Sequence, residues 1–130
     1  MPRVRTSSVS HVEVAESGEA TIVELVGDFD LEATGALARE LGEPINRERD
    51  LIVDVTRAGL IDSTSLGALI TAERRTSFRG RRFALVVGPE TPEGVRHALR
   101  LTGLVRSSEL YPSLERALAA IARPPPGGAS

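Results

Sequence analysis

The chain has 130 residues, which is the size of one domain and enough to bury a hydrophobic core without disulfides. Hydrophobic residues make up 41%, charged residues 26%, and the formal net charge is −2, so we expect a globular protein with neither a nucleic-acid surface nor a membrane surface. Cysteine is absent and there are two histidines, which excludes a disulfide framework or thiolate catalyst and leaves no expected metal site or cofactor.

The first part of the chain predicts a β-hairpin. Residues 1–8 are expected to form a flexible start. Residues 9–14 alternate weakly, as an edge strand does, and residues 20–26 are richer in β-branched side chains. The turn between them contains a glycine, which favours a hairpin.

A helix and a buried strand follow the hairpin. Asp30 is placed as the helix N-cap, and Gly42 and Pro44 are expected to end the helix. Residues 51–55 are apolar without alternation, which is typical of a strand covered on both faces. The apolar positions expected on one face of the helix are Leu31, Leu37, Ala38 and Leu41.

The second half of the chain continues the alternation of helix and strand. A helix is expected to run to about Phe78, followed by a strand over residues 83–87. Thr91 is placed as the cap of the next helix, with Pro92 at its first position and Gly103 at its end.

The chain ends with a short strand and a helix in this interpretation. Residues 104–106 predict the strand, Pro112 begins the last helix, and residues 123–130 predict a disordered tail rich in proline and glycine. The order β-β-α-β-α-β-α-(β)-α indicates an α/β domain over residues 9–122. Its sheet is mixed and mainly parallel, with four or five strands and about four helices packed on it.

A polar junction at mid-chain is the candidate site. Asp62, Ser63, Thr64 and Ser65 lie between the strand at 51–55 and the next helix. Small polar residues at such a place either cap the helix or form a working site at the carboxyl end of a buried strand. The pattern alone leaves both interpretations open.

The sequence argues against an enzyme. It has no lysine and no glycine-rich phosphate loop. Ser63 lacks the Gly-x-Ser-x-Gly flanks of a hydrolase nucleophile, and neither His11 nor His97 is placed as its base. A phosphoryl group on Ser63 would meet the positive end of the helix dipole and lie beside acids.

Several segments resemble the STAS domains, specifically the bacterial anti-sigma factor antagonists. Residues 61–67 (Ile-Asp-Ser-Thr-Ser-Leu-Gly) are similar to the family signature Asp-Ser-Ser/Thr-Gly-Leu-Gly. Residues 27–30 resemble its Gly-Glu/Asp-x-Asp, residues 53–55 its third strand, and residues 101–104 its turn of apolar-Ser/Thr-Gly-Leu. The resemblance spans residues 9–122 and implies the STAS fold.

The resemblance also implies a function. Such a protein, unphosphorylated, binds an anti-sigma factor that is also a serine kinase, and so frees a sigma factor in the bacterial cytoplasm. The kinase, which holds ATP and Mg²⁺, phosphorylates the protein and releases it, and a serine phosphatase resets it. By position the acceptor is Ser63, with Thr64 a lesser candidate. The residues implied around the site or at the partner surface are Asp28, Asp30, Asp62, Thr64, Ser65, Leu66 and Gly67.

One residue departs from the signature. Ser65 stands where the family usually has glycine, which adds bulk and a third hydroxyl to the junction. The alternative is therefore a STAS scaffold or accessory module that is not phosphorylated, in a stress-signalling complex or with a transporter.

Overall fold

The structure is a computed structural model that describes residues 10–122, and the expected flexible start and disordered tail lie outside the described residues. The described part contains six strands and five helices. The strands are β1 (Ser10–Ser17), β2 (Ala20–Phe29), β3 (Asp50–Asp54), β4 (Ala58–Ile61), β5 (Phe83–Val86) and β6 (Glu109–Tyr111). The helices are α1 (Leu31–Asn46), α2 (Ser63–Phe78), α3 (Glu93–Leu101), α4 (Leu104–Ser107) and α5 (Leu114–Ile121).

The strands form one mixed, mainly parallel sheet in the order β1-β2-β3-β5-β6, which confirms the predicted α/β class. Only β1 runs antiparallel to its neighbour, because the two-residue turn after Ser17 returns the chain directly along β2. The other strands are reached through helical crossovers or, for β4, through a short loop, and they pair in parallel.

The long strand β2 pairs with two strands in succession. Its first half, Ala20 to Glu24, pairs with β3, and its last residues, Gly27 to Phe29, pair with β4 after a register shift. Because β2 and β4 are parallel, their carboxyl ends lie side by side. This pairing brings together the starts of α1 and α2, the helices that follow these two strands.

Alternation along the central strands divides the core between the two faces of the sheet. Val23 and Val53 belong to the larger cluster, which packs against α1, α2, α3 and α4. Ile22 and Ile52 point the other way and pack with α5. No helix described between residues 10 and 122 is long and apolar enough to cross a membrane.

Two sequence predictions, the end of the first helix and a strand at residues 104–106, are wrong because tertiary packing outweighs local propensity. Helix α1 continues through Gly42 and Pro44 to Asn46. The added turn buries Pro44 and Ile45, and this burial offsets the hydrogen bond that proline cannot donate. Residues 104–106 form part of α4 rather than a strand, because Leu104 is buried in the main core after the left-handed Gly103. The last parallel strand is instead β6.

Three further details differ from the sequence prediction. Leu31 is 68% exposed and Ala38 is also exposed, so they do not share the buried face of Leu37. The last helix is capped by Ser113 rather than begun by Pro112. Strand β4 was not predicted, since four residues paired with a single neighbouring strand carry little periodic signal.

Candidate functional site

Two helix starts lie next to each other at the carboxyl ends of β2 and β4. The backbone N–H of Asp62 donates to the carbonyl of Phe29 at 2.9 Å, which fixes the end of β4 against the end of β2. Asp30 and Asp62 then occupy equivalent positions as N-caps. Asp30 Oδ1 accepts from the N–H of Ala33 at 3.2 Å, and Asp62 Oδ1 accepts from the N–H of Ser65 at 3.0 Å.

Thr34 joins the two helix starts through hydroxyl groups. Its Oγ1 lies 2.8 Å from Thr64 Oγ1 and 2.9 Å from Ser65 Oγ, while the Thr64 hydroxyl donates to Asp62 Oδ1 at 2.7 Å. Each hydroxyl has one proton to donate. Thr34 Oγ1 also lies 3.3 Å from the backbone carbonyl of Asp30, so its single proton has two acceptors within reach. Since Thr64 donates to Asp62, the three bonds among the side chains form together when Ser65 donates to Thr34 and Thr34 donates to its nearer acceptor, Thr64. The resulting chain of donors ends on a carboxylate. We call these four side chains, Thr34, Asp62, Thr64 and Ser65, the hydroxyl network.

The network keeps Asp62 ionised. Its pKa is lowered below the ordinary value for aspartate, chiefly by the backbone N–H of Ser65 and next by the hydroxyl of Thr64. Asp62 therefore carries a negative charge at neutral pH. That charge lies immediately before Ser63 in the chain, and any second anion at this helix start must be accommodated beside it.

The three consecutive hydroxyls at the start of α2 have different environments. Ser63 is exposed at the first helical position, and its Oγ forms no hydrogen bond with the residues that the structure describes. Thr64 is exposed but bonded to both Asp62 and Thr34. Ser65 is fully buried, at 0% exposure. Ser63 therefore offers an exposed oxygen that is the least constrained of the three.

The buried position of Ser65 explains how this helix start accommodates it. Its side chain points into the interior and bonds to Thr34, so its bulk does not protrude from the protein surface. Leu66 is likewise buried in the core, at 8% exposure. Gly67 is partly exposed, and an added Cβ there would meet nothing within 4 Å, so the packing of this chain does not require glycine at that position.

Asp28 is near the helix starts but outside the network. It is the next-to-last residue of β2, and its carboxylate lies over the backbone of β4 at Gly59, where an added Cβ would clash with Asp28 Oδ1. The structure therefore brings Asp30, Asp62, Thr64 and Ser65 together, whereas Asp28 flanks them on the neighbouring strand.

Three residues of this region were missed by the sequence interpretation. Thr34 gives no local signal, because it lies 31 residues before its partner Ser65. Leu31, at the first position of α1, is predicted on the core face but is 68% exposed. Leu60, in the unpredicted β4, is 49% exposed. Two apolar side chains therefore face solvent near the polar junction.

The fold and the paired helix starts define a small α/β protein that displays a serine at the carboxyl edge of its sheet. A protein-family model described as "Mlab, STAS domain" matches residues 12–115. The chain therefore belongs to the STAS domain family, as its resemblance to that family predicted. No curated protein sequence matches the chain significantly.

Solved structures show the same fold at low sequence identity. An anti-sigma factor antagonist from Mycobacterium paratuberculosis is 22% identical, with a TM-score of 0.78 over 89% of this chain and 97% of that one. A STAS domain protein from Planctomyces limnophilus is 17% identical, with a TM-score of 0.69 over 86% and 98%. The Bacillus cell fate determinant SpoIIAA in its phosphorylated form is 17% identical, with a TM-score of 0.66 over 85% and 99%.

Proposed function

We propose that this protein is a bacterial anti-sigma factor antagonist whose binding is switched by phosphorylation of Ser63. Unphosphorylated, it captures an anti-sigma factor that is also a serine kinase, and a sigma factor is freed. Phosphorylation releases the complex, and a serine phosphatase restores the binding form. The protein acts in the cytoplasm and contributes no catalytic step of its own, since ATP and Mg²⁺ are bound by the kinase.

The observation that carries this proposal is the accessibility of Ser63 beside two constrained hydroxyls. A kinase must position the acceptor oxygen in line with the γ-phosphorus of ATP. An exposed serine outside the hydroxyl network can adopt that position without breaking hydrogen bonds of the fold. Thr64 would first have to leave Asp62 and Thr34, which makes it the lesser candidate.

The transfer step follows ordinary phosphoryl chemistry. The Oγ of Ser63 forms a bond to the γ-phosphorus, the bond from that phosphorus to the bridging oxygen of ATP breaks, and ADP leaves. The serine proton passes to a base on the kinase. The product carries nearly two negative charges at neutral pH, next to the ionised Asp62.

The added charge supplies the switch. At the start of α2 it is favoured by the helix dipole, so the fold tolerates it. When a partner covers this surface, the same charge must lose its water next to Asp62. Like charges brought together in an interface cost several kcal/mol of binding free energy. A loss of about 1.4 kcal/mol already weakens binding tenfold. Release on phosphorylation is therefore expected without unfolding of the protein.

The proposed partner surface also includes apolar area. Leu31 and Leu60 are exposed at the end of the sheet where Ser63 lies, and Asp28 and Asp30 flank them. Apolar anchors surrounded by polar groups are the usual composition of a protein interface. In this proposal Ser65 and Leu66 support the surface from the interior, and Gly67 leaves open space at its edge.

The switch is tested with candidate anti-sigma kinases from the same organism. Pull-downs are made with and without ATP–Mg²⁺, and intact mass detects a phosphoryl group. Ser63→Ala should stay bound in ATP and gain no phosphoryl group, whereas Ser63→Asp should bind at least about tenfold more weakly. Ser77→Ala, which alters an exposed serine at the far end of α2, is the matched control. Release of Ser63→Ala by ATP at the wild-type rate would show that another residue is the switch.

The apolar part of the surface is tested separately. Leu31→Ser should weaken capture of the kinase without lowering the stability of the fold, because the side chain is largely in solvent. Phe78→Ser is the control, since Phe78 is 90% exposed at the opposite end of α2. Equal binding by both variants and the wild type would remove Leu31 from the interface.

A second candidate function is favoured by the description of the matching family model, which names Mlab. In this alternative the protein is an accessory module of a transporter or a stress-signalling complex, and it is not phosphorylated. Isolation of a stable assembly from cells, with no phosphate on Ser63, Thr64 or Ser65, would support it. Recovery of phosphorylated Ser63 would instead support the antagonist.

A further inference from the structure

A cavity lies at the carboxyl edge of the sheet, away from the hydroxyl network. It is an open pocket with a volume of about 320 Å³, lined by residues of α3 and α4, the residue after β5 and the end of β6. The backbone N–H of Val87 donates to the carbonyl of Tyr111 at 2.9 Å and so holds its floor together. The volume is at the lower end of the range for small-molecule sites, and the carboxyl ends of parallel strands are where α/β folds commonly place them.

The wall of the cavity is mostly apolar. Its largest exposed apolar member is Leu110, which is 45% exposed, and Leu99 is a buried member of the same lining. The remaining apolar lining is Val87, Val105 and Pro112. A hydrocarbon segment seated here would remove part of Leu110 from water, which is the usual source of affinity in such a site.

Two arginines, and no acid, line the same cavity among the residues that the structure describes. Arg96 is held in place by donating from Nη2 to the carbonyl of Gly88 at 2.6 Å and from Nε to that of Thr91 at 3.2 Å. Within residues 10–122 it has no carboxylate at ion-pair distance, although, after the hydrogen bond from Arg100, its charge also helps to lower the pKa of Glu93. The two carbonyls fix the guanidinium in position without neutralising its charge. Arg100 pairs with Glu93 at 2.7 Å, but both side chains are more than half exposed, so the pair is weak.

We propose that this cavity binds a small amphipathic carboxylate, with its hydrocarbon part against Leu110 and Val105 and its anionic head at Arg96 and Arg100. The volume corresponds to roughly ten water molecules, which sets the size of the ligand to that of a medium-chain carboxylate. A planar carboxylate matches the paired N–H groups of a guanidinium. This site is independent of Ser63 and of the proposed antagonist function.

The proposal is tested by nuclear magnetic resonance titration of the isotope-labelled protein with octanoate. Acetate supplies the charge alone and 1-octanol the hydrocarbon alone. Octanoate should bind with a dissociation constant on the order of 0.1–1 mM and shift the amide signals of Val87, Val105 and Leu110. Acetate and 1-octanol should each bind at least about fivefold more weakly. Equal binding of 1-octanol and octanoate would overturn the anionic part of the proposal.

Variants locate the site. Arg100→Gln should weaken octanoate binding roughly threefold to fivefold and remove most of its advantage over 1-octanol. Arg106→Gln is the matched control, because Arg106 is an exposed arginine of α4 that does not line the cavity. Val105→Trp, which fills the cavity, should abolish binding while the amide spectrum remains that of a folded protein. Wild-type affinity in Val105→Trp, or shifts confined to other residues, would place the ligand elsewhere and refute the proposal.

Discussion

The starts of α2 and α3 look alike in sequence and differ in structure. Each follows a strand and has a small hydroxyl residue nearby. At α2, Asp62 is the N-cap and its side chain accepts the N–H of Ser65. At α3, the N-cap is Pro92, which has no side-chain acceptor, and the Thr91 hydroxyl is buried without a hydrogen-bond partner among the described residues. One start has a polar network, and the other has an unpaired polar atom.

The difference shows that a hydroxyl residue before a helix caps it only when that residue occupies the N-cap position. Pro92 has an extended ψ of 146° and so occupies the N-cap position itself rather than the first helical position. Thr91 is thereby placed one residue too early to reach the free N–H groups of the helix. At α2, the neighbouring start of α1 supplies Thr34, so even the buried hydroxyl of Ser65 has a hydrogen-bond partner.

Among changes at the two helix starts, removal of the Thr34 hydroxyl is expected to lower the free energy of unfolding most. Thr34→Val keeps the shape of the side chain but leaves the buried Ser65 hydroxyl without its partner. We expect a loss of about 1–2 kcal/mol in the free energy of unfolding, measured with urea. Thr71→Val alters an exposed threonine of α2 and should stay within about 0.5 kcal/mol of the wild type. Equal stability of the two variants would mean that the network adds nothing to the fold.

A smaller effect is expected from the other end of the same bond. Ser65→Ala removes one hydroxyl, while Thr34 keeps its contact with Thr64, so the expected loss is about 0.5–1 kcal/mol. In the double variant Thr34→Val/Ser65→Ala the two losses should not add, because both single changes break one shared bond. Strict additivity in urea unfolding would contradict the network.

The sequence was sufficient to predict most of the fold, because buried strands and amphipathic helices have strong periodic signals. It also placed Asp30 and Asp62 at helix starts, since capping is decided by neighbours within three residues. Thr34 could not be predicted as a partner of Ser65, because their contact depends on the parallel pairing of β2 with β4. That pairing involves only three residues of β2.

The same distinction explains what was mispredicted. Whether Leu31 lies in the core or in solvent depends on the angle between β2 and α1. The periodic pattern of apolar residues in α1 does not determine that angle. The sequence predicts Thr91 as the cap, yet the proline after it takes that position. Sequence patterns therefore mispredict a residue when a shift of one position along the chain, or one tertiary contact, decides its cap role or its burial.

The charge of Asp62 provides a test that depends on pH. Its pKa is lowered in the folded protein by the N–H of Ser65 and the hydroxyl of Thr64. The ionised Asp62 carboxylate therefore stabilises the fold fully above the pKa of an aspartate in the unfolded chain, about 4. This stabilisation is lost as the pH falls through the lower pKa of Asp62 in the folded protein. Asp62→Asn can still cap the helix but does not titrate. Its stability should fall less steeply with acid than that of the wild type.

Other acids do not obscure this comparison. Glu109 also has a lowered pKa, caused first by its hydrogen bond with Arg82, and it contributes the same acid dependence to both proteins. The measurement is the free energy of urea unfolding at a series of pH values below 7. Parallel curves for Asp62→Asn and the wild type would show that the network does not favour the ionised carboxylate.

The smallest effect is expected at the start of α3. Thr91→Val replaces a buried hydroxyl that has no partner with a methyl group of similar size, so no hydrogen bond is lost and a desolvation cost is relieved. We expect stability within about 0.5 kcal/mol of the wild type or slightly above it. Thr102→Val is the control at the other end of α3, because the Thr102 hydroxyl donates to the carbonyl of Leu99 at 3.0 Å and its removal should be destabilising. If Thr91→Val were the more destabilised of the two in urea, Thr91 would act as a bonded group, and the two helix starts would be alike after all.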